Sequence, residues 1–302
     1  MKSRFLFPYQ LRVVGWALAI PGIILGLLTI YTAITIPFLH FKIREHATLF
    51  RPAVEDFTNE LALTLTVVGL LFIAFSKQKR EDELTERIRL NALYWAVFIN
   101  YVIYTLFIII GQLDLYFHIN RLAPSAAFFT EQFGFIIFNL FVPLIVFIAR
   151  FNFLLFRKAN EYINVKLRFL PNKPTRIIGQ IITAVFVVTL FLLSITEVRN
   201  DWVTTIMYLM PFPLLLWAFS LEPAEDEYIA SLRLNAMQIA ILVNYAILLI
   251  SNFTFYGLNF LVVLFINLST IPAIFIIVFN YELYKTKRLD KAKQRDLNLN
   301  LL

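Results

Sequence analysis

The chain has 302 residues, of which 60% are hydrophobic and only 16% are charged; a soluble globular chain carries roughly 45–50% apolar and about 25% charged residues. So few charges cannot cover so much apolar surface in water, and with a mean hydropathy of +0.74 the composition excludes a soluble domain and points to an all-α polytopic membrane protein. The lack of Cys removes disulfides, thiolate metal sites and thiol nucleophiles, and the formal charge of +7 has to be read first as a topology signal, not as a nucleic-acid footprint.

A spanning helix needs about 20 mostly apolar residues, and eight stretches qualify. The first, Val13–Leu39, follows Lys2, Arg4 and Arg12. Its apolar run is about twice as long as the h-region of a signal peptide, and no small-x-small site follows, so a retained helix is expected. The second, Leu61–Phe75, is short as counted and is expected to begin before Leu61. Leu90–Ile110 and Phe133–Ile148 come next, then Ile177–Thr196 and Trp202–Phe219, the last interrupted by Met210-Pro211-Phe212-Pro213. Leu234–Ser251 and Phe255–Tyr281 complete the set. None carries an acidic or basic residue in its middle, and Trp16, Trp202 and Trp217 fall near the expected interfaces.

With the N-terminus placed in the cytoplasm, 22 of the 27 Lys and Arg residues fall in inner segments. The positive-inside rule therefore predicts both termini in the cytoplasm. It also accounts for the +7 charge without a nucleic-acid partner.

The sequence repeats itself. Phe75-Ser76, Glu81-Asp82-Glu83, Arg89-Leu90-Asn91-Ala92 and Asn100-Tyr101 recur 144 residues on as Phe219-Ser220, Glu225-Asp226-Glu227, Arg233-Leu234-Asn235-Ala236 and Asn244-Tyr245. Upstream, Arg12-Val13-Val14-Gly15 matches Arg176-Ile177-Ile178-Gly179 at an offset of 164; downstream, Phe151-Asn152 matches Phe279-Asn280 at 128. Eight helices thus divide into two four-helix repeats. An even number per copy gives both the same orientation, so the repeats are parallel. The expected organisation is a first repeat at 1–160 with enlarged outer loops, a second at 161–284, and a basic cytoplasmic tail at 285–302.

Within each copy, Asp82, Arg89 and Asn100, and again Asp226, Arg233 and Asn244, fall within about 20° of one helical stripe. Seven residues of helix span about 10.5 Å, too far for Asp and Arg to pair within the helix. Each must find a partner on another helix, in the opposite repeat or among headgroup phosphates. The plain expectation is that the acids cap the helix, the Arg anchors it at the headgroups and the Asn bonds a neighbouring helix. The functional alternative is a cytoplasmic docking surface or a gated polar seam.

No phosphate-binding loop, dinucleotide turn or zinc-protease helix occurs. Asp82-Glu83 with Arg87 faintly resembles the paired-acid motif of intramembrane prenyl proteases. The second copy, however, has Ser231 in place of Arg87, and no membrane-embedded His completes a site. His40, His46 and His118 all fall in the outer insertions of the first repeat, without metal-ligand spacing on a helix. No metal, cofactor or catalytic group is expected.

Glu81-Asp82-Glu83-x5-Arg89-Leu90 followed by Asn100-Tyr101 resembles multi-pass bacterial membrane proteins to which no activity is attached. The resemblance implies a bacterial inner-membrane location. The leading expectation is a non-enzymatic integral membrane protein, a sensor or accessory subunit with a protein partner at the cytoplasmic face; the alternative is a permease or channel for a small solute, with its pathway at the repeat interface.

Overall fold

A backbone without water to bond to must close its hydrogen bonds within each segment, and the computed structural model is helical accordingly. It describes residues 6–32, 35–42, 54–79, 81–117, 134–160, 169–195, 201–223, 226–255 and 258–299. Among these, seven helices are long and apolar enough to cross a membrane, and one further apolar helix, Thr205–Ala218, is shorter. The fold is helical and suited to a lipid bilayer, with one small two-stranded sheet among the described residues.

Packing divides the chain into two compact units, residues 2–166 with 245–265 and residues 167–244 with 266–302. The first unit opens with α1 (Leu11–Thr32). Its end falls short of the expected Leu39 because Ile36 precedes Pro37 and is held extended, at φ −90° and ψ 114°. A 3-10 turn at Pro37–Leu39 leads into β1 (His40–Lys42), which pairs antiparallel with β2 (Val54–Asp56), His40 opposite Asp56. This small sheet is absent from the expected elements.

Helix α2 (Thr58–Phe75) begins before Leu61, as expected. It meets α1 along small residues. A Cβ on Gly15 would sit 2.8 Å from the Gly69 carbonyl oxygen and 2.9 Å from the Ile73 nitrogen, and one on Gly22 would sit 2.6 Å from the Thr66 nitrogen. Close backbone approach of this kind is how helices associate where apolar contact alone gives no preference over lipid. α3 (Glu83–Phe117) starts seven residues before the apolar run, so the helix continues past it. α4 (Gly134–Asn160) runs to Asn160 and accommodates Pro143. Residues 245–265 also pack in this unit: Tyr245 Oη donates to the Leu140 carbonyl at 2.6 Å, and Asn252 Nδ2 to the Glu60 carbonyl at 3.1 Å.

The second unit contains α5 (Thr175–Ile195), α6 (Asp201–Leu209) and α7 (Pro211–Ala218). The expected sixth span is therefore two short helices. Pro211 and Pro213 lack the N–H that would continue the ladder, and the ring clashes with the preceding turn. A Cβ on Gly179 of α5 would lie 2.8 Å from the Pro213 carbonyl oxygen and 2.8 Å from the Trp217 nitrogen of α7. α8 (Glu227–Thr254) and α9 (Leu258–Leu299) follow; α9 passes through Pro272 and continues as one helix well beyond its apolar part.

Candidate functional site

The polar residues of each unit gather where its first helix begins. In the first unit Phe7 bridges to Ser76: the Phe7 nitrogen donates to the Phe75 carbonyl and the Lys77 nitrogen to the Phe7 carbonyl, both at 2.9 Å. This strap precedes Arg12. The Arg12 guanidinium donates to Gln78 Oε1 at 3.3 Å and to Asn152 Oδ1 at 3.0 Å, linking α1, the α2–α3 connection and α4.

Arg89 is fully buried beside it. It donates to Glu81 Oε1 at 2.7 Å and to the Ala74 carbonyl at 3.5 Å, and its guanidinium carbon lies 4.6 Å from the centroid of Phe151. Phe151 is stacked on Phe147, and Phe147 on Phe75. The cation is thus closed off by a carboxylate, a helix-terminal carbonyl and an aromatic face, each a recognised partner for guanidinium.

In the second unit Leu170 bridges to Ser220, with the Leu170 nitrogen donating to Phe219 and the Leu221 nitrogen to Leu170 at 2.9 Å. Arg176 pairs with Glu222 and donates to Asn280 Oδ1 at 3.5 Å. Arg233, only 2% exposed, donates to the Ala218 and Ser220 carbonyls at 3.2 and 2.8 Å. It lies between Phe169 at 4.6 Å and Phe279 at 4.7 Å, and Phe279 stacks on Phe275. A recess of about 10 Å³ lies here, lined by Arg176, Ser220, Glu222, Arg233, Phe279 and Asn280 among others. It has room for about one water molecule.

The partners in the two units stand at the offsets of the sequence matches. Ala74 and Ala218 are 144 apart, Gln78 and Glu222 likewise; Arg12 and Arg176 are 164 apart; Asn152 and Asn280, and Phe151 and Phe279, are 128 apart. Gln78 and Glu222 differ in charge, so Arg12 meets a neutral amide where Arg176 meets a carboxylate. Glu225, the position matching Glu81, lies outside the described residues.

The six stripe residues are thereby assigned different surroundings. Asp82 caps α3: its Oδ1 accepts from the Thr85 nitrogen at 2.8 Å and the Thr85 hydroxyl at 2.6 Å. Asp226 caps α8, accepting from the Ile229 nitrogen at 2.7 Å. These are N-cap bonds, which satisfy otherwise orphaned donors of the first turn. Arg89 and Arg233 are buried in their own units and not extended to headgroups. Asn100 is 2% exposed, and Asn244, 1% exposed, accepts from Asn267 Nδ2 at 2.9 Å on the neighbouring α9. The stripe is a feature of sequence spacing, and its members do three separate jobs.

Arg12, Arg176, Asn152, Asn280, Phe151 and Phe279 were visible only as repeat landmarks, although those matched positions are the ones that build each cluster. Of the three histidines, His40 sits in β1; His46 and His118 lie outside the described residues. No cluster of three metal-ligating side chains occurs among the described residues. No protein-family model, curated protein or solved structure matches this chain.

Proposed function

We propose that this chain is a non-enzymatic integral membrane protein of the bacterial inner membrane that acts through a protein partner at its cytoplasmic face, as a sensor or accessory subunit. The observation that supports it most is the closure of its polar groups on one another. Asp82 and Asp226 bind helix N-termini, Arg89 and Arg233 lie against carbonyls and rings, and Asn244 bonds Asn267. A conduction path needs polar groups turned towards a lumen; these are turned towards their own helix ends and the neighbouring helices packed against them. Such clusters set helix ends rigidly and suit a scaffold that relays a change in packing.

The proposed topology has eight spans in two parallel four-helix repeats, with both termini cytoplasmic. The matched offsets of the two arginine clusters and the Lys and Arg distribution support it. The eighth crossing falls to α6 and α7 together, whose apolar part Thr205–Ala218 is shorter than the other seven spans. The broken helix at Met210–Pro213 favours the second reading, a permease or channel, since interrupted helices frame substrate sites in transporters.

Three experiments test the topology and these two readings. Reporter fusions after Thr254 and at Leu302 are expected to give outer and cytoplasmic signals respectively; the reverse pattern overturns the topology. Crosslinking in native membranes from residues on the exposed end of α9, such as Tyr284, is expected to capture one protein at near-stoichiometric yield. Solute uptake by proteoliposomes of the purified chain alone would replace the partner reading with the transport reading.

A further inference from the structure

On the first unit, α3 and α4 hold one cation between them. Arg150 of α4 is half-buried; its Nε donates to Asn91 Oδ1 at 3.0 Å, and its guanidinium carbon stands 4.8 Å over the Trp95 ring. Side chains lean towards the N-terminus of their own helix, so Arg150 leans back towards the apolar run of α4, where Asn91 and Trp95 of α3 receive it. Among the described residues its only polar partner is that neutral amide, which uses one of its five N–H donors. An aromatic tier surrounds the ring: Trp95 meets Phe98 edge-on at 5.4 Å and Tyr94 edge-on at 6.2 Å. Phe98 and Phe153 are exposed, at 41% and 56%, and Arg157 lies over Phe153 at 5.9 Å. Arg157 is two turns from Arg150 on the same face of α4, about 10.5 Å away along the axis.

This guanidinium edge, next to apolar surface at the end of a membrane span, has no carboxylate partner among the described residues. The bilayer supplies a counter-ion. Arg forks bind phosphate in a bidentate manner, basic pockets between membrane helices on the cytoplasmic side take anionic headgroups, and interfacial aromatics lie against the upper acyl chain. We propose that Arg150, seated on Trp95 and Asn91, is the phosphate-binding residue of a site for one anionic glycerophospholipid, whose acyl chain lies along Phe98.

The second half lacks this site. It keeps Asn235 at the place of Asn91, but Ile239 stands for Trp95 and Val278 for Arg150. The lipid site is therefore a property of the first half only. It needs the chain to lie in a bilayer and is independent of whether the protein works through a partner.

Native mass spectrometry of the purified full chain tests the proposal, with phosphatidylglycerol and phosphatidylcholine of identical acyl chains titrated separately. The wild type is expected to retain one phosphatidylglycerol at concentrations where phosphatidylcholine is lost. Arg150→Gln is expected to weaken that retention about 5- to 10-fold, and Arg150→Lys to restore part of it. Equal retention of the two lipids by the wild type overturns the proposal, and this arm needs no variant to fold. Unchanged phosphatidylglycerol retention in a folded Arg150→Gln protein overturns it as well. So does displacement of the lipid by inorganic phosphate at equal concentration, which would make the site one for a free anion.

Discussion

Arg89→Ala measures how firmly the first arginine cluster holds its unit. The substitution removes a 2.7 Å charge-assisted bond to Glu81 and a ring contact at 4.6 Å to Phe151 from a side chain with no exposure. A hydrogen bond to a charged group contributes about 1.5–3 kcal/mol, and a desolvated cation–π contact about 2 kcal/mol. Removing one member of a buried pair costs about 3–5 kcal/mol because the other is stranded. Here Glu81 is 25% exposed and can rehydrate, which places the expected loss near the lower end, about 3 kcal/mol. That corresponds to roughly a 150-fold fall in the folded-to-unfolded ratio. Chemical unfolding in mixed micelles, followed by circular dichroism and Trp fluorescence, reads it directly. Glu81→Gln should lose about 1–2 kcal/mol, and the double variant should lose less than the sum, since the two residues share one bond. A loss for Arg89→Ala below about 0.5 kcal/mol, in the range of an exposed pair, would refute the reasoning.

The glycines give a sharper contrast at lower amplitude. A Cβ on Gly15 meets backbone at 2.8 Å, whereas one on Gly26 meets nothing closer than the Ala62 Cβ at 3.9 Å; Gly15→Ala should separate α1 from α2 and lower the unfolding free energy, while Gly26→Ala should leave it unchanged or raise it by about 0.5–1 kcal/mol. Asn244→Ala leaves Asn267 Nδ2 without its 2.9 Å acceptor and should cost about 1–3 kcal/mol, with Asn244→Ala/Asn267→Ala costing less than the two singles summed. Tyr245→Phe deletes a buried donor to the Leu140 carbonyl and should cost about 1 kcal/mol in the same assay. Asp82→Ala removes the cap of α3 and should cost about 1 kcal/mol, seen as faster amide exchange over residues 84–86 than in the wild type.

Apolar run length and helix punctuation are local properties, so the sequence alone determined that this chain is helical and suited to a bilayer. It also placed α2 ahead of Leu61, continued α3 past its apolar run, and located the interruption at Met210–Pro213. A proline removes a donor whatever surrounds it. The matched positions, too, were legible, because Arg12, Arg89, Phe151 and Asn152 recur in order as Arg176, Arg233, Phe279 and Asn280. Their meeting was not. Spacing along one helix put Asp82, Arg89 and Asn100 on a common stripe, but a stripe fixes only direction. Arg89 turned to Glu81 behind it, to the end of α2 and to Phe151 on α4, and those neighbours are brought by packing across 8 to 62 positions of chain. Likewise, nothing local says that residues 245–265 pack with the first unit and not with their own sequence half. Tertiary structure decides this, because a buried hydroxyl or amide takes whichever carbonyl stands beside it: Tyr245 finds Leu140, and Asn252 finds Glu60.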